Sequence, residues 1–447
     1  MGLLGREEAR HLTDRALAFS RADQARVYVS SERNGNIRFA QNQVSTAGDV
    51  DNLSITVTSA IGKRVASSTT NRTDDASLRT VVETSERLAR LLPDDPEYMG
   101  ELGPQQYQHP SALFPATAEL TPQRRAVVVR TIAELARARG LVSTGFAPHY
   151  AGAYAVATTK ELFGYWSETR ANLTTTVRTP DGTGSGWAGT AVHDWGEIDA
   201  ARLARIAIEK AEASRNPRAI EPGKWTVILE PSATATMVGL MMGSLNARNA
   251  DEGRSFFSKA GGGNRIGEKV VDERVTILSD PIEPELSGSP FTAEGVPARR
   301  TTWIDGGVVR NLTYDRFWAQ RSGREALPWT GGYRMLGGSA SIEEMIRSTE
   351  RGILVTRMWY IRSVDPRTVL FTGLTRDGTF LIKNGRIRHA VNNFRWNESP
   401  VFLLNNLEAM GEPVRVVGAE SGDIGSTIVV PPIMSRDFTF TSVSDAV

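Results

Sequence analysis

The order of elements in the first 213 residues constrains this chain more than any single motif: a helix, four strands and a helix, run through twice. Ala9, Leu12, Ala16 and Phe19 recur at helical spacing and predict a helix over 6–19. Alternation of apolar and polar residues predicts strands at 26–31 and 37–40, with Asn34-Gly35 as the turn between them. Strands at 53–58 and 65–70 flank a turn at Gly62, and a helix over 74–92 ends at Pro93. The order then returns. Thr121 is an N-cap, Pro122 takes the first helical position and Gly140 terminates that helix. Strands follow at 141–146, 153–158, 173–177 and 186–192, and a helix over 200–213 closes the unit. Asn52-Leu53-Ser54-Ile55-Thr56-Val57 is echoed 120 residues later by Asn172-Leu173-Thr174-Thr175-Thr176-Val177. An internal repeat accounts for the echo; two unrelated strands of β-formers account for it equally.

Residues 92–115, rich in Pro, Asp and Gln, read as a long connection, and 215–223, with two prolines, as a second boundary. The expected domains are an α+β unit over 1–92, a second over 116–219 and a β-rich domain over 222–447. In the last, strands are predicted at 225–229, 275–278, 301–305, 308–312, 369–375, 379–383, 386–389, 414–418 and 426–430. Asp305-Gly306-Gly307 and Asn384-Gly385 supply tight turns. Helices are predicted at 231–248, 314–322, 342–348 and 400–409. The fold class is therefore α+β: two helix/antiparallel-strand units, then a C-terminal domain with a large, mostly antiparallel, barrel-like sheet plus helices.

Composition excludes several function classes. A net charge of +1 supplies no field for recruiting nucleic acid or an anionic membrane, and no arginine cluster carries a run of aromatics. With no cysteine, disulfides, thiolate metal sites and cysteine nucleophiles are all ruled out. The start, MGLLGREEARHL, has no apolar stretch of signal-peptide length, and Gly2 lacks the Ser or Thr of a myristoylation signal. The apolar run at 237–242 is shorter than the ~20 residues that span a bilayer. A cytoplasmic location is expected.

The candidate chemistry is sparse. The five histidines, His11, His109, His149, His193 and His389, include no pair at i, i+4 spacing, so no self-contained zinc site is expected. Gly261-Gly262-Gly263 lacks the Lys-Ser/Thr ending of a phosphate loop and reads as a flexible connection. Ser232, Ser289 and Ser339 each lack part of the glycine frame of a nucleophile elbow. The stretch 236–245, with three methionines among small residues, reads as a buried core helix.

One ordered set of segments goes further. The strand at 225–229 runs through Glu230-Pro231 into the apolar helix; then come Arg265-Ile266-Gly267-Glu268-Lys269-Val270 and the segment 291–300, FTAEGVPARR. Gly352-Ile353-Leu354-Val355-Thr356 follows, and then 377–387, DGTFLIKNGRI, with Lys383 where an acidic residue is common. Together they resemble the TldD/PmbA family (TldD/TldE), two-subunit bacterial peptidases. The resemblance implies a His-Glu-x-x-x-His motif on that helix in the metal-bearing subunit. Counted without gaps from Pro231, its positions fall here on Gly239, Leu240 and Ser244, none of them a zinc ligand or general base. A further cysteine ligand late in the chain has no counterpart either. The chain thus looks like the metal-free, TldE/PmbA-type subunit, with no cofactor of its own and no catalytic residue.

That resemblance implies a heterodimer, or larger assembly, with a TldD-type paralogue that holds the zinc. It also implies a shared cavity for small or unfolded peptides, bound as an extended strand at a sheet edge. Arg265 and Glu268 are expected near the cleft. Glu294 belongs to an acidic segment in which Gly295 supplies a turn and Arg300 pairs with a carboxylate; these are groove or structural candidates. The alternative is a stand-alone peptide-binding or scaffold homodimer without hydrolytic activity. A DNA-gyrase modulator role, carried by some family labels, is disfavoured by the neutral charge.

Overall fold

The computed structural model of the protein describes residues 2–108, 110, 112–286, 288–417, 422, 424, 425 and 427–444. His109 and Ser287 lie outside the described residues, as do Gly418 and Ser426 at the ends of two predicted strands. The first unit comprises α1 (Arg6–Ala18), β1 (Gln24–Ala40), β2 (Gln43–Ile61), β3 (Arg64–Thr70) and α2 (Asp75–Leu91). After the connection and a short α3 (Pro115–Ala118), the second comprises α4 (Pro122–Ala138), β4 (Val142–Thr158), β5 (Phe163–Arg178), β6 (Ser185–Val192) and α5 (Ala200–Ala213). Local chemistry fixes the helix ends. Asp74, Thr121 and Asp199 each accept a backbone N–H from inside the helix they precede, and Gly140 stops α4 with φ of 65°.

Both units build one sheet, ordered β3-β2-β1-β4-β5-β6, with β1 and β4 antiparallel at its centre. Each contributes three strands, not the four predicted, because 26–31 with 37–40, and 141–146 with 153–158, are single strands of 17 residues each. Asn34-Gly35 is therefore no turn: Gly35 pairs with Asp49 on one side and His149 on the other. The chain reverses instead at Gln41 and Asn42, with φ of 52° and 61°. What Gly35 provides is space, since a Cβ there would stand 2.0 Å from the His149 ring and 2.4 Å from both Arg125 and Asp49. The sequence echo falls on β2 and β5, which hold equivalent places on either side of the central pair.

The pleat divides this sheet cleanly. On β1, β2, β4 and β5 the odd-numbered residues, such as Val27, Val29, Ala155, Leu173 and Val177, pack under the four long helices. Even-numbered ones, such as Tyr28, Tyr154 and Trp166, face the opposite way.

In the C-terminal half, β7 (Gly223–Leu229) belongs to a closed five-stranded barrel. Around it the order is Arg351–Asp365, β7, Ile433–Val443, Phe394–Glu398 and Leu370–Lys383, closed by antiparallel pairing of the first with the last. Only β7 with Arg351–Asp365 is parallel, so the α+β, barrel-like, mostly antiparallel architecture expected from sequence is present. Six short strands form a second sheet, and α6 (Pro231–Met242) buries Ala233, Met237, Val238 and Met241 in the main core.

Several elements differ from their predictions. The helix expected over 231–248 ends before Gly243, and Asn246 caps a separate α7 (Ala247–Asp251). The one expected over 400–409 stops at Asn405 and continues as the strand Leu407–Met410. The strands 369–375 and 379–383 are one, Leu370–Lys383, bent at Asp377 and Gly378, whose φ values are 55° and 127°. Arg351–Asp365, Phe394–Glu398 and Ile433–Val443 were not among the predicted strands. Among the described residues no helix is long and apolar enough to cross a membrane.

Candidate functional site

β7 ends at Leu229 and α6 begins two residues later, with Pro231 preset for the first helical position. Glu230, between them, makes an ion pair with Lys210 of α5. Around the helix, Ala233, Thr234, Ala235, Met237, Val238, Met241 and Met242 are buried. Thr236, Gly239 and Leu240 are partly open and Gly243 is exposed, so the free face carries small or apolar groups.

Gly239, Leu240 and Ser244 all lie at this open corner. A Cβ on Gly239 would sit 3.2 Å from the Tyr333 hydroxyl, which donates to the Ala235 carbonyl at 3.1 Å. The Ser244 hydroxyl donates to the Leu240 carbonyl at 3.4 Å, and the Ser244 carbonyl accepts from Ser255 Oγ at 3.1 Å. Catalytic zinc takes three protein donors. These three positions offer one hydroxyl, itself engaged with backbone, and among the described residues no three His, Cys, Asp or Glu side chains group as metal ligands. The residues present do not fit a zinc ion.

The remaining candidates fall into three local groups. Arg265 stacks on Phe256 at 4.5 Å and donates to the Ser258 carbonyl. Glu268 lies 3.9 Å from Arg265 and 3.1 Å from Lys259, which closes the glycine loop into a charged hairpin. Glu294 pairs with Arg316 at 3.6 Å beside a cavity of about 340 Å³ that also holds Arg26 and Glu101. Gly295 supplies the expected turn, with φ of 86°, and its carbonyl accepts from the Tyr107 hydroxyl at 2.7 Å. That bond ties the 92–115 connection to the C-terminal domain. Arg300 reaches Asp280 at 3.9 Å and is otherwise largely exposed.

A second cavity, of about 490 Å³, was not anticipated. Its floor is the even-numbered face of β1, β4 and β5: Tyr28, Glu32, Tyr154, Trp166, Glu168 and Arg170. Ser289 and Thr330 reach it from the C-terminal domain. Tyr154 stacks between Tyr28 and Trp166, with ring centroids 6.4 and 5.7 Å away. Glu168 is 3% exposed and accepts from Arg170 Nε at 2.6 Å. Burial pushes its carboxyl up to about 7 against the pull of Arg170, and Glu32 adds to the rise. The Tyr28 hydroxyl is pushed up to about 12, chiefly by burial and then by Glu32 and Glu168. The signal available in sequence was the alternation Tyr150, Gly152, Tyr154 and Trp166, Glu168, Arg170, which puts aromatic and charged residues on one face of adjoining strands. A break predicted between 146 and 153 obscures it, because β4 runs unbroken through both.

Comparison with known proteins agrees with this architecture. The description "PmbA/TldA metallopeptidase C-terminal domain" matches residues 222–442, and "PmbA/TldA metallopeptidase domain 1" matches 25–89, together more than half of the chain. A metalloprotease of Archaeoglobus fulgidus is 27% identical over 49% of this chain and 54% of its own length. One of Methanothermobacter thermautotrophicus is 24% identical over 59% of this chain and 61% of its own. The chain thus spans only about half of these curated relatives. The crystal structure of TldE from Thermococcus kodakarensis superposes with a TM-score of 0.84 at 18% identity, over 97% of this chain and 99% of that one. A Thermotoga maritima protein described as a candidate DNA gyrase modulator gives 0.85 at 16%, over 97% and 100%. At these identities the two structures speak for the fold alone. With domain matches in both halves and the fold continuous between them, this chain belongs to the TldD/PmbA family.

Proposed function

We propose that this chain is a metal-free, TldE/PmbA-type subunit that assembles with a metal-bearing TldD-type paralogue and supplies cavity wall and peptide groove for cleavage of small or unfolded peptides. The observation that carries the reading is the open face of α6. Where a metallopeptidase helix needs two imidazoles and a carboxylate, this one presents Gly239, Leu240 and Ser244, and the only hydroxyl is spent on the Leu240 carbonyl. An open strand edge supports the groove. Among the described residues β2 pairs with β3 only from Ile55 to Ile61, so its residues 43–54 pair on one side alone. An extended peptide adds to such an edge through backbone hydrogen bonds, with little demand on its sequence.

The test is co-expression with a metal-bearing paralogue and assay of an unstructured peptide by each chain alone and by the pair, with and without chelator. Cleavage is expected from the pair only, and chelator abolishes it. Cleavage by this chain alone, or one zinc ion retained by it after dialysis, would sink the proposal. A stable homodimer that ignores the paralogue and holds peptide uncut would favour the scaffold alternative.

A further inference from the structure

We infer that the cavity over β1, β4 and β5 is a binding site for an organic cation, a peptide ammonium group, held between Glu32 and Glu168 against the stack of Tyr28, Tyr154 and Trp166. This deepens the peptide-handling role proposed above and rests on it for the choice of ligand.

Four observations carry the inference. The two carboxylates line one cavity from strands flanking β4: Glu32 and Glu168 are both in register with Gly152, one on each side of it. Their backbones thus stand two strand spacings, about 10 Å, apart. The floor between them is aromatic, the rings of Tyr28, Tyr154 and Trp166 being stacked on one another, so a ligand there meets an apolar surface that displaces water and strengthens the pull of the carboxylates. The charge does not balance locally. Arg170 is the one cation among the lining residues, and part of its guanidinium is drawn off to the Gly425 carbonyl at 3.0 Å. Finally, Trp166, a lining residue, is 5% exposed, and among the described residues its buried indole N–H has no hydrogen-bond partner. A ligand with a cation and a carbonyl oxygen close together, as in a peptide, complements both features.

The charged and titratable groups facing Glu168 are Tyr28 and Glu32 from β1, Tyr154 from β4 and Arg170 from its own strand; Ser289 and Thr330 opposite are neutral. With its carboxyl at about 7, Glu168 is largely neutral at pH 6 and largely ionised at pH 8. A cation bound beside it favours the ionised form, so binding releases a proton and affinity rises with pH through 7.

The experiment is calorimetric titration of the full chain alone, at pH 6, 7.5 and 9, with three tripeptide amides. Ala-Ala-Ala amide carries only a terminal ammonium, acetyl-Ala-Lys-Ala amide only a side-chain ammonium, and acetyl-Ala-Ala-Ala amide neither. At least one charged probe is expected to bind at one per chain and at least tenfold tighter than the neutral probe at pH 7.5. A terminal ammonium, titrating near 8, loses that advantage by pH 9, whereas lysine keeps it, so the pH profile identifies the source. Glu168→Gln and Glu32→Gln should each remove most of the preference, and Glu168→Gln should flatten its rise between pH 6 and 7.5. Should Glu168→Gln fail to fold by circular dichroism, the partly exposed Glu32 decides. Equal affinity for charged and neutral probes, no binding of either charged probe, or a preference that survives Glu32→Gln overturns the inference. No paralogue is present, so this result stands or falls separately from peptidase activity of the pair.

Discussion

Arg125 places two parallel hydrogen bonds, 2.7 and 2.8 Å long, on the carboxylate of Asp49, although its side chain is 0% exposed and that of Asp49 is 42% exposed. The pair fastens α4 to the outer half of β2, and Arg125 also donates to His149 Nδ1 at 3.3 Å. The Arg125 hydrogen bonds hold the Asp49 carboxyl below the usual range. Asp49→Ala leaves a buried guanidinium without its carboxylate, and removing one partner of such a pair costs about 3 kcal/mol. Glu325→Ala breaks the exposed contact with Arg299 and should cost about 0–1 kcal/mol. Urea denaturation of both variants checks the contrast; equal losses would mean that the burial of Arg125 contributes nothing.

Gly35 and Gly48 sit on adjoining strands and should respond very unequally to the same change. Gly35→Ala drives a methyl group into His149, Arg125 and Asp49, a clash of about 2–3 kcal/mol or more. Gly48→Ala meets nothing within 4 Å and should change stability by about 0.5 kcal/mol at most. Thermal denaturation reads both, and a tolerated Gly35→Ala would show that the buried cluster is not packed as described.

Acid should weaken the fold from pH 6.5 downward. Burial first, then Arg125 and Arg170 respectively, depress His149 and His193 from 6.5 to about 4. Between those values the unfolded imidazoles take protons that the folded ones refuse. Each therefore removes stability as pH falls through that window, up to about 3 kcal/mol. Glu168 acts with the opposite sign: raised to about 7, it binds its proton in the folded state first and offsets roughly one histidine between pH 7 and 4.5. A net loss of about 3 kcal/mol by pH 4 is expected from these three groups. In His149→Asn, whose side-chain oxygen can still accept from Arg125, the loss should shrink by about one histidine's share. An unchanged pH slope in that variant would refute the assignment.

Asp377 joins the N-terminal sheet to the barrel. It accepts from Ser185 Oγ of β6 at 2.6 Å and lies 3.6 Å from Arg357, whose guanidinium stacks over Trp187 of β6 and over Trp359. Its φ of 55° is a conformation that Asn also tolerates. Asp377→Asn therefore keeps the backbone and removes only the charge, and should cost about 3 kcal/mol. Scanning calorimetry should show one transition splitting toward two as the halves uncouple. A variant with unaltered melting would mean that apolar packing alone joins them.

Much of the element pattern was legible because its causes are local. Thr121-Pro122 and Asp74 carry helix starts in their own side chains, and both are N-caps in the fold. Asp305-Gly306-Gly307 and Asn384-Gly385 carry positive-φ turns in the same way. Asn34-Gly35 misled because its two residues suit a type I′ turn while tertiary packing used the missing Cβ instead. Arg351–Asp365 is not legible as an alternating strand because 352–358 are buried on both faces and its second half is largely exposed.

By itself the sequence determined which groups this chain possesses: no thiol, no donor at Gly239 or Leu240, and helix caps and turns specified within a few residues of themselves. Only the tertiary structure decided which groups meet and how dry they are. The two units became one sheet because β1 pairs with β4, and the barrel formed because β7 pairs with Arg351–Asp365 and Ile433–Val443, both more than a hundred residues further along the chain. A carboxylate at position 168 is written in the sequence; that it is buried beside Glu32 and titrates near neutrality is not. Caps and turns depend on neighbours along the chain, whereas burial and electrostatic coupling depend on whatever lies across the sheet.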